Sequence, residues 1–129
     1  MTTTIESYMT PSPHTIGRDQ TLKHAHEIMR EHKIRHLPVL HGGKLLGIVS
    51  SRDLYFIESE PDVNPTSETV EEAMTPDPYV VLKSASLTSV ASHMAEHHLG
   101  CALVTDDHGK MLGIFTTVDA LRALAHFAK

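Results

Sequence analysis

The chain has little of what would point to several common functions. It holds one cysteine, no tryptophan and only three tyrosines and three phenylalanines in 129 residues. A single thiol cannot close an internal disulfide, and the apolar neighbours Ala102, Leu103 and Val104 mark Cys101 as a buried strand residue rather than a reactive one. No apolar run approaches the roughly 18 to 20 residues of a membrane-spanning helix. The start, Met1 to Glu6, lacks the basic-then-apolar layout of a secretory leader, so a cytoplasmic address and no membrane partner are expected. Basic residues never run beyond a pair and the formal net charge is −5, which argues against an extended phosphate-backbone footprint and hence against nucleic acid. No nucleophile elbow, phosphate-binding Gly-rich loop or catalytic triad spacing occurs, and the chain reads as a non-enzyme.

What is present is a repeat. At a shift of 65, Thr4, Glu6, Met9, Thr10, Pro11 and Pro13 fall on Thr69, Glu71, Met74, Thr75, Pro76 and Pro78. Leu22, Met29, Glu31, His32 and Val39 then meet Leu87, Met94, Glu96, His97 and Val104. One further residue shifts the frame to 66, where Gly47-Ile48-Val49-Ser50-Ser51-Arg52-Asp53 returns as Gly113-Ile114-Phe115-Thr116-Thr117-Val118-Asp119.

Each copy carries the same order of elements. Met-Thr-Pro-x-Pro is extended, because proline fixes its own φ and restricts the residue before it. A short strand follows at Thr15-Ile16 or Tyr79 to Leu82. Asp19 and Ser84 are the expected N-caps of helices whose apolar positions Leu22, Ala25, Met29 or Leu87, Val90, Met94 recur at helical spacing. Two strand-like runs joined by glycine-containing turns come next, His36 to Leu40 with Lys44 to Ser50, and Cys101 to Thr105 with Lys110 to Thr116. Second helices begin at Ser50 and Thr116. The reading is an α+β fold of the α/β type: two tandem β-α-β-β-α units, residues 1–58 and 69–129, joined by an acidic, proline-bearing linker over 59–68. A unit of this size is marginal alone, so the two are expected to pack about a pseudo-two-fold axis into one compact module, with a ligand in the cleft between them.

Two chemistries fit the repeated signature. A strand ending in a hydroxyl residue at a helix start presents unpaired N–H groups and the positive end of the helix dipole, which suit a phosphate. A carboxylate one turn in can accept ribose hydroxyls. The same Ser-x-x-Asp and Thr-x-x-Asp spacing is also a capping box, which satisfies helix-end amides with no ligand. The copies differ in charge: Arg52 stands opposite Val118, and Arg35-His36 opposite Gly100-Cys101, which concentrates basic phosphate partners in the first copy. Eleven histidines are unusual, and His36 and His41 near the expected cleft could make affinity pH-dependent. His93 and His97 lie four apart on a helix, but no ligand set completes them and no metal site is expected.

These residues resemble a tandem pair of cystathionine-β-synthase-type (CBS) domains, a Bateman module. The resemblance rests on Met9-Thr-Pro and Met74-Thr-Pro, on Met29 and Met94, on Ile34-Arg35-His36-Leu37-Pro38-Val39 and on the two Gly-x-x-Ser/Thr-x-x-Asp signatures, and covers about residues 5 to 127, leaving no room for a separate enzymatic or DNA-binding domain. It implies a stand-alone regulatory protein that senses AMP, ADP, ATP or S-adenosylmethionine without needing a cofactor. It also implies a flat homodimer that signals to an unidentified effector protein. Carried over, Asp53 and Asp119 bond ribose hydroxyls, Ser50 and Thr116 meet phosphate or ribose, and the surroundings of Thr15-Ile16, Val80-Val81 and Pro38-Val39 line the adenine pockets. The alternative is a dimerisation or interaction module that needs no ligand.

Overall fold

A computed structural model of the protein describes residues 2–128. After a 3-10 turn at Ile5–Ser7, the elements in order are β1 (Thr10–Pro11), β2 (Ile16–Gly17), α1 (Leu22–His32), β3 (His36–His41), β4 (Lys44–Ser50), α2 (Ser51–Glu58), α3 (Val70–Ala73), β5 (Thr75–Pro76), β6 (Val80–Leu82), α4 (Leu87–His97), β7 (Cys101–Thr105), β8 (Met111–Thr116) and α5 (Thr117–Phe127). The repeated β-α-β-β-α order is the one expected. The 3-10 turn and α3 are additions, each opening its copy just before Met-Thr-Pro.

Two four-stranded sheets result, in the orders β2-β3-β4-β5 and β1-β8-β7-β6. In each, a short strand pairs in parallel with the first hairpin strand, Ile16 opposite Val39 and Val80 opposite Leu103. The fourth strand of each sheet comes from the other repeat. Thr75 and Pro76 lie antiparallel to Ile48 and Gly47, while Thr10 and Pro11 lie antiparallel to Ile114 and Gly113. One compact unit is therefore His14–Pro78, and the other joins the segment up to Pro13 to everything from Tyr79 onward. Compactness thus groups the chain differently from the ranges 1–58 and 69–129 read along the sequence. The two are called below the first-repeat unit and the second-repeat unit.

Both signature glycines are explained by this exchange of leading strands. A Cβ on Gly47 would stand 2.6 Å from the Thr75 carbonyl oxygen and 2.9 Å from Met74 Sδ. One on Gly113 would stand 2.7 Å from the Thr10 carbonyl oxygen and 2.5 Å from Met9 Sδ. Glycine is there because a neighbouring backbone crosses too close for any side chain.

Each unit has its own core. In the first-repeat unit Leu22, Ala25 and Met29 of α1 pack with Leu37, Val39, Val49, Leu54 and Val70. In the second-repeat unit Val90 and Met94 of α4 pack with Ile5, Ala102, Val104 and Phe115. Full burial of such a side chain stabilises by about 1.5 to 3 kcal/mol. Cys101 is buried at the start of β7, as its neighbours indicated.

Helix starts and the linker depart from expectation. α1 is capped by Thr21, not Asp19, and α4 by Ser86, not Ser84, each cap accepting an amide hydrogen from three residues on. The cause is long-range. Thr21 bridges to Thr69 and Ser86 to Thr4, and that pairing holds the residue just before the helix extended, as an N-cap must be. The short strands span Ile16–Gly17 rather than Thr15-Ile16 and Val80–Leu82 rather than Tyr79 to Leu82, the residues that pair in parallel with β3 and β7. The acidic linker is mostly exposed yet tied down: the Pro65 and Glu68 carbonyls accept from the Lys23 and Leu22 amides at 2.9 and 3.0 Å, and Val63 packs on the first core. No helix among the described residues is long and apolar enough to cross a membrane.

Candidate functional site

The signature residues sit where β4 runs into α2 and β8 into α5. Ser50 ends β4 opposite His36 and caps α2: its Oγ accepts from the Asp53 amide at 3.1 Å, and Asp53 Oδ2 accepts from the Ser50 amide at 2.9 Å. Thr116 ends β8 opposite Cys101 and does the same for α5, with 3.4 Å from the Asp119 amide and 2.9 Å to Asp119 Oδ2. Both signatures are therefore capping boxes. That arrangement occupies one carboxylate oxygen in each copy, and the fate of the second oxygen separates the copies.

Asp119 is buried, with 3% of its surface exposed. Its Oδ1 accepts from the Thr10 hydroxyl at 2.9 Å and from Arg122 Nη1 at 3.1 Å, and the Thr116 hydroxyl lies 3.3 Å from Oδ2. With about four acceptor sites on a carboxylate, Asp119 is filled by its own unit. Asp53 is half-buried and has no arginine partner. Among the described residues its other hydrogen-bond donor is the Thr75 hydroxyl, at 3.4 Å from both oxygens, which is at the outer limit of a hydrogen bond. The same motif thus gives one saturated carboxylate and one with acceptor capacity to spare.

The residues around Asp53 carry the charge that the sequence placed there. His36 faces Ser50 across the β3–β4 pair, and burial pulls its pKa below the ordinary 6.5, helped by Arg35 and opposed by Asp53. Arg35 is exposed, and its carbonyl accepts from the Ser51 amide at 2.9 Å, which fixes the β3 start against the α2 start. Arg52 is exposed and makes no ion pair among the described residues. Pro38 is fully buried opposite Ile48, Ile16 is buried opposite Val39, and Thr15 is half-buried just before it. These eight expected site residues, Thr15, Ile16, Arg35, His36, Pro38, Ser50, Arg52 and Asp53, belong to the first-repeat unit. Val80, exposed, and Val81, half-buried, belong with Thr116 and Asp119 to the second-repeat unit.

Sequence reasoning missed Thr10, Thr75 and Arg122. The two threonines are the middle residues of the repeated Met-Thr-Pro, and their recurrence was the available signal. Arg122 lies three residues after Asp119, the spacing of neighbours on one helix face. Of the histidines, His93 stacks on Tyr79 at 4.4 Å between ring centroids and packs tilted against His97 at 4.2 Å, so that pair is part of an aromatic cluster. Among the described residues no group of three or more His, Cys, Asp or Glu side chains could hold a metal ion.

The family model for the CBS domain matches this chain twice, over residues 5–59 and 70–126. The chain belongs to the CBS-domain family. Its CBS pair is 36% identical over 115 residues to a homoserine O-acetyltransferase of Methanocorpusculum labreanum and 31% identical over 121 residues to an inosine-5'-monophosphate dehydrogenase of Korarchaeum cryptofilum. The matches take in 88% and 94% of this chain but only 23% and 24% of those proteins, so the chain spans about a quarter of their length. Among solved structures, the CBS pair is similar to Arabidopsis thaliana CBSX2 in complex with AMP, at a TM-score of 0.85 and 29% identity over 98% of this chain and 99% of that one. It is also similar to the CBS domain pair of protein MJ0100 in complex with 5'-methylthioadenosine and S-adenosyl-L-methionine, at 0.87 and 26% over 98% of both chains.

Proposed function

We propose that the protein is a regulatory, non-enzymatic sensor of an adenosine-containing ligand, AMP, ADP, ATP or S-adenosylmethionine, and that a partner protein reads its state. The observation that carries this reading is Asp53, a half-buried carboxylate at the start of α2 with unfilled acceptor capacity, flanked by Arg35, His36 and Arg52. Asp53 takes the ribose hydroxyls, Ser50 and the arginines the phosphates, and Thr15, Ile16 and Pro38 border the base. The AMP and S-adenosyl-L-methionine complexes of the similar proteins support the ligand class. The second copy, Thr116 and Asp119 with Val80 and Val81, is the weaker site or an empty one, because its carboxylate is already filled.

The test is a thermal-shift panel with AMP, ADP, ATP, S-adenosylmethionine and NAD, followed by calorimetry. A ligand at a hundred times its dissociation constant stabilises the fold by about 2.7 kcal/mol. One site per chain is expected, lost in Asp53→Ala. Equal losses in Asp53→Ala and Asp119→Ala would refute the inequality of the copies.

A second reading, a homodimeric interaction module that needs no ligand, draws on α5. Val118, Leu121, Leu124 and Phe127 recur every three residues along it and each is more than half exposed. That stripe supports self-association under either reading. A dimer in solution with no thermal shift across the panel at millimolar ligand selects the second.

A further inference from the structure

In the first-repeat unit, an open groove of about 490 Å³ lies between α1 and α2, away from the Ser50 and Asp53 capping box. Ser51 and Tyr55 are one helical turn apart on α2 and line it. Asp53, two positions from each, is turned to the other side of the helix, where it meets Ser50 and Thr75. The opposite wall is the end of α1 and the residues after it, Met29, Arg30, Ile34 and Arg35.

The groove lining is cationic and apolar. Arg30 and Arg35 both contribute to it, and among the described residues no carboxylate does. Among the described residues neither guanidinium forms an ion pair. The only other titratable side chains are His26 and Tyr55, and the His26 ring is held at one edge by Glu58, 2.6 Å from Nε2 to Oε2. Met29 is buried and Ile34 half-buried, which gives an apolar floor, and the exposed Tyr55 ring gives a face on which a flat group can lie. Two unpaired guanidinium forks and a hydroxyl around an apolar floor match a dianionic oxyanion attached to a flat group. The volume lies within the range of small-molecule sites.

We propose that this groove binds a small phosphate monoester with a planar or apolar substituent. Arg30 and Arg35 take the phosphate oxygens, Ser51 donates a further hydrogen bond, and Tyr55, Met29 and Ile34 receive the substituent. The site shares Arg35 with the nucleotide reading, but Arg30, Ser51 and Tyr55 take no part in that reading, so variants at these three test the groove by itself.

Phenyl phosphate is the probe, titrated into isotopically labelled protein at constant ionic strength and followed by amide chemical shifts, with benzoate and inorganic phosphate as separate arms. Saturable shifts at Arg30, Ser51 and Tyr55 are expected, tightest with phenyl phosphate. Arg30→Gln should weaken binding by about tenfold, the loss of one charge-assisted hydrogen bond, while Arg30→Lys loses less. Unsaturable shifts, equal affinity in Arg30→Gln, or tighter binding of benzoate would each overturn the proposal. Spectra of the free variants that overlay on the wild type establish that a loss is local. AMP or S-adenosylmethionine binding that survives in Arg30→Gln keeps the two readings separable.

Discussion

Replacing Gly113 by alanine tests the central architectural claim, that a strand of one repeat completes the sheet of the other. The added Cβ meets the Thr10 carbonyl oxygen at 2.7 Å and Met9 Sδ at 2.5 Å, where ordinary contact starts at 3.4 Å. The sulfur ends a flexible chain and can swing away. The carbonyl cannot, because Pro11 pairs with Gly113, Thr10 with Ile114, and the Ser12 amide donates to the Leu112 carbonyl at 3.0 Å. Overpacking of this kind costs about 1 to 3 kcal/mol, offset by up to roughly 1 kcal/mol because alanine has less freedom than glycine in the unfolded chain. If β1 is displaced, Asp119 also loses the Thr10 hydroxyl, and leaving a buried acceptor short costs a further 1 to 3 kcal/mol or so. The net expectation is a loss of about 2 to 4 kcal/mol, or on the order of 10 °C in Tm for a chain of this size. Gly47→Ala meets a similar obstacle, but Thr75 holds Asp53 only at 3.4 Å, so its loss should be smaller. Differential scanning calorimetry of Gly113→Ala, Gly47→Ala and Met9→Ala/Gly113→Ala decides the matter. A wild-type melting temperature in Gly113→Ala, or full recovery in the double variant, would show that the backbone crossing is not the constraint.

Three further outcomes follow from the same contacts. Asp119→Ala should destabilise by about 2 kcal/mol, since it removes a cap together with the hydrogen bonds its buried carboxylate accepts from Thr10 and Arg122, whereas Asp53→Ala should cost about 1 kcal/mol, the loss of a cap alone; urea titrations measure both. His36, followed by NMR, should titrate below 6.5, lower still in Asp53→Asn and higher in Arg35→Gln; because its folded pKa is depressed, the stability it contributes is present above about pH 6.5 and is lost as pH falls from there toward the folded value. Lys33 and His98 end α1 and α4 in the left-handed region, at φ 56° and 57°, where a side chain costs roughly 1 to 2 kcal/mol, so Lys33→Gly and His98→Gly should each raise Tm by a few degrees.

The sequence by itself determined the duplication, the β-α-β-β-α order and the caps at Ser50 and Thr116. These are local: apolar spacing within one helix, turns between adjacent strands, and a hydroxyl three residues before an acid all act across a few residues of chain. It also carried the charge difference between the copies, since Arg35 and Arg52 have no counterpart at Gly100 and Val118. Tertiary structure alone decided what those local signals mean. Thr21 and Ser86 displace Asp19 and Ser84 as caps because distant segments pair with them, and no spacing within α1 or α4 announces that. Gly47 and Gly113 look like tolerant strand glycines until the other repeat's Met-Thr-Pro is laid across them. Asp53 and Asp119 read alike in the sequence, yet Thr10 lies 109 residues before Asp119 in the chain and fills it, while Thr75 barely reaches Asp53. Whether a carboxylate is a cap that is finished or a cap with room for a ligand depends on which donors the fold brings to its second oxygen, and those donors are set by strand pairing, not by neighbours in the chain.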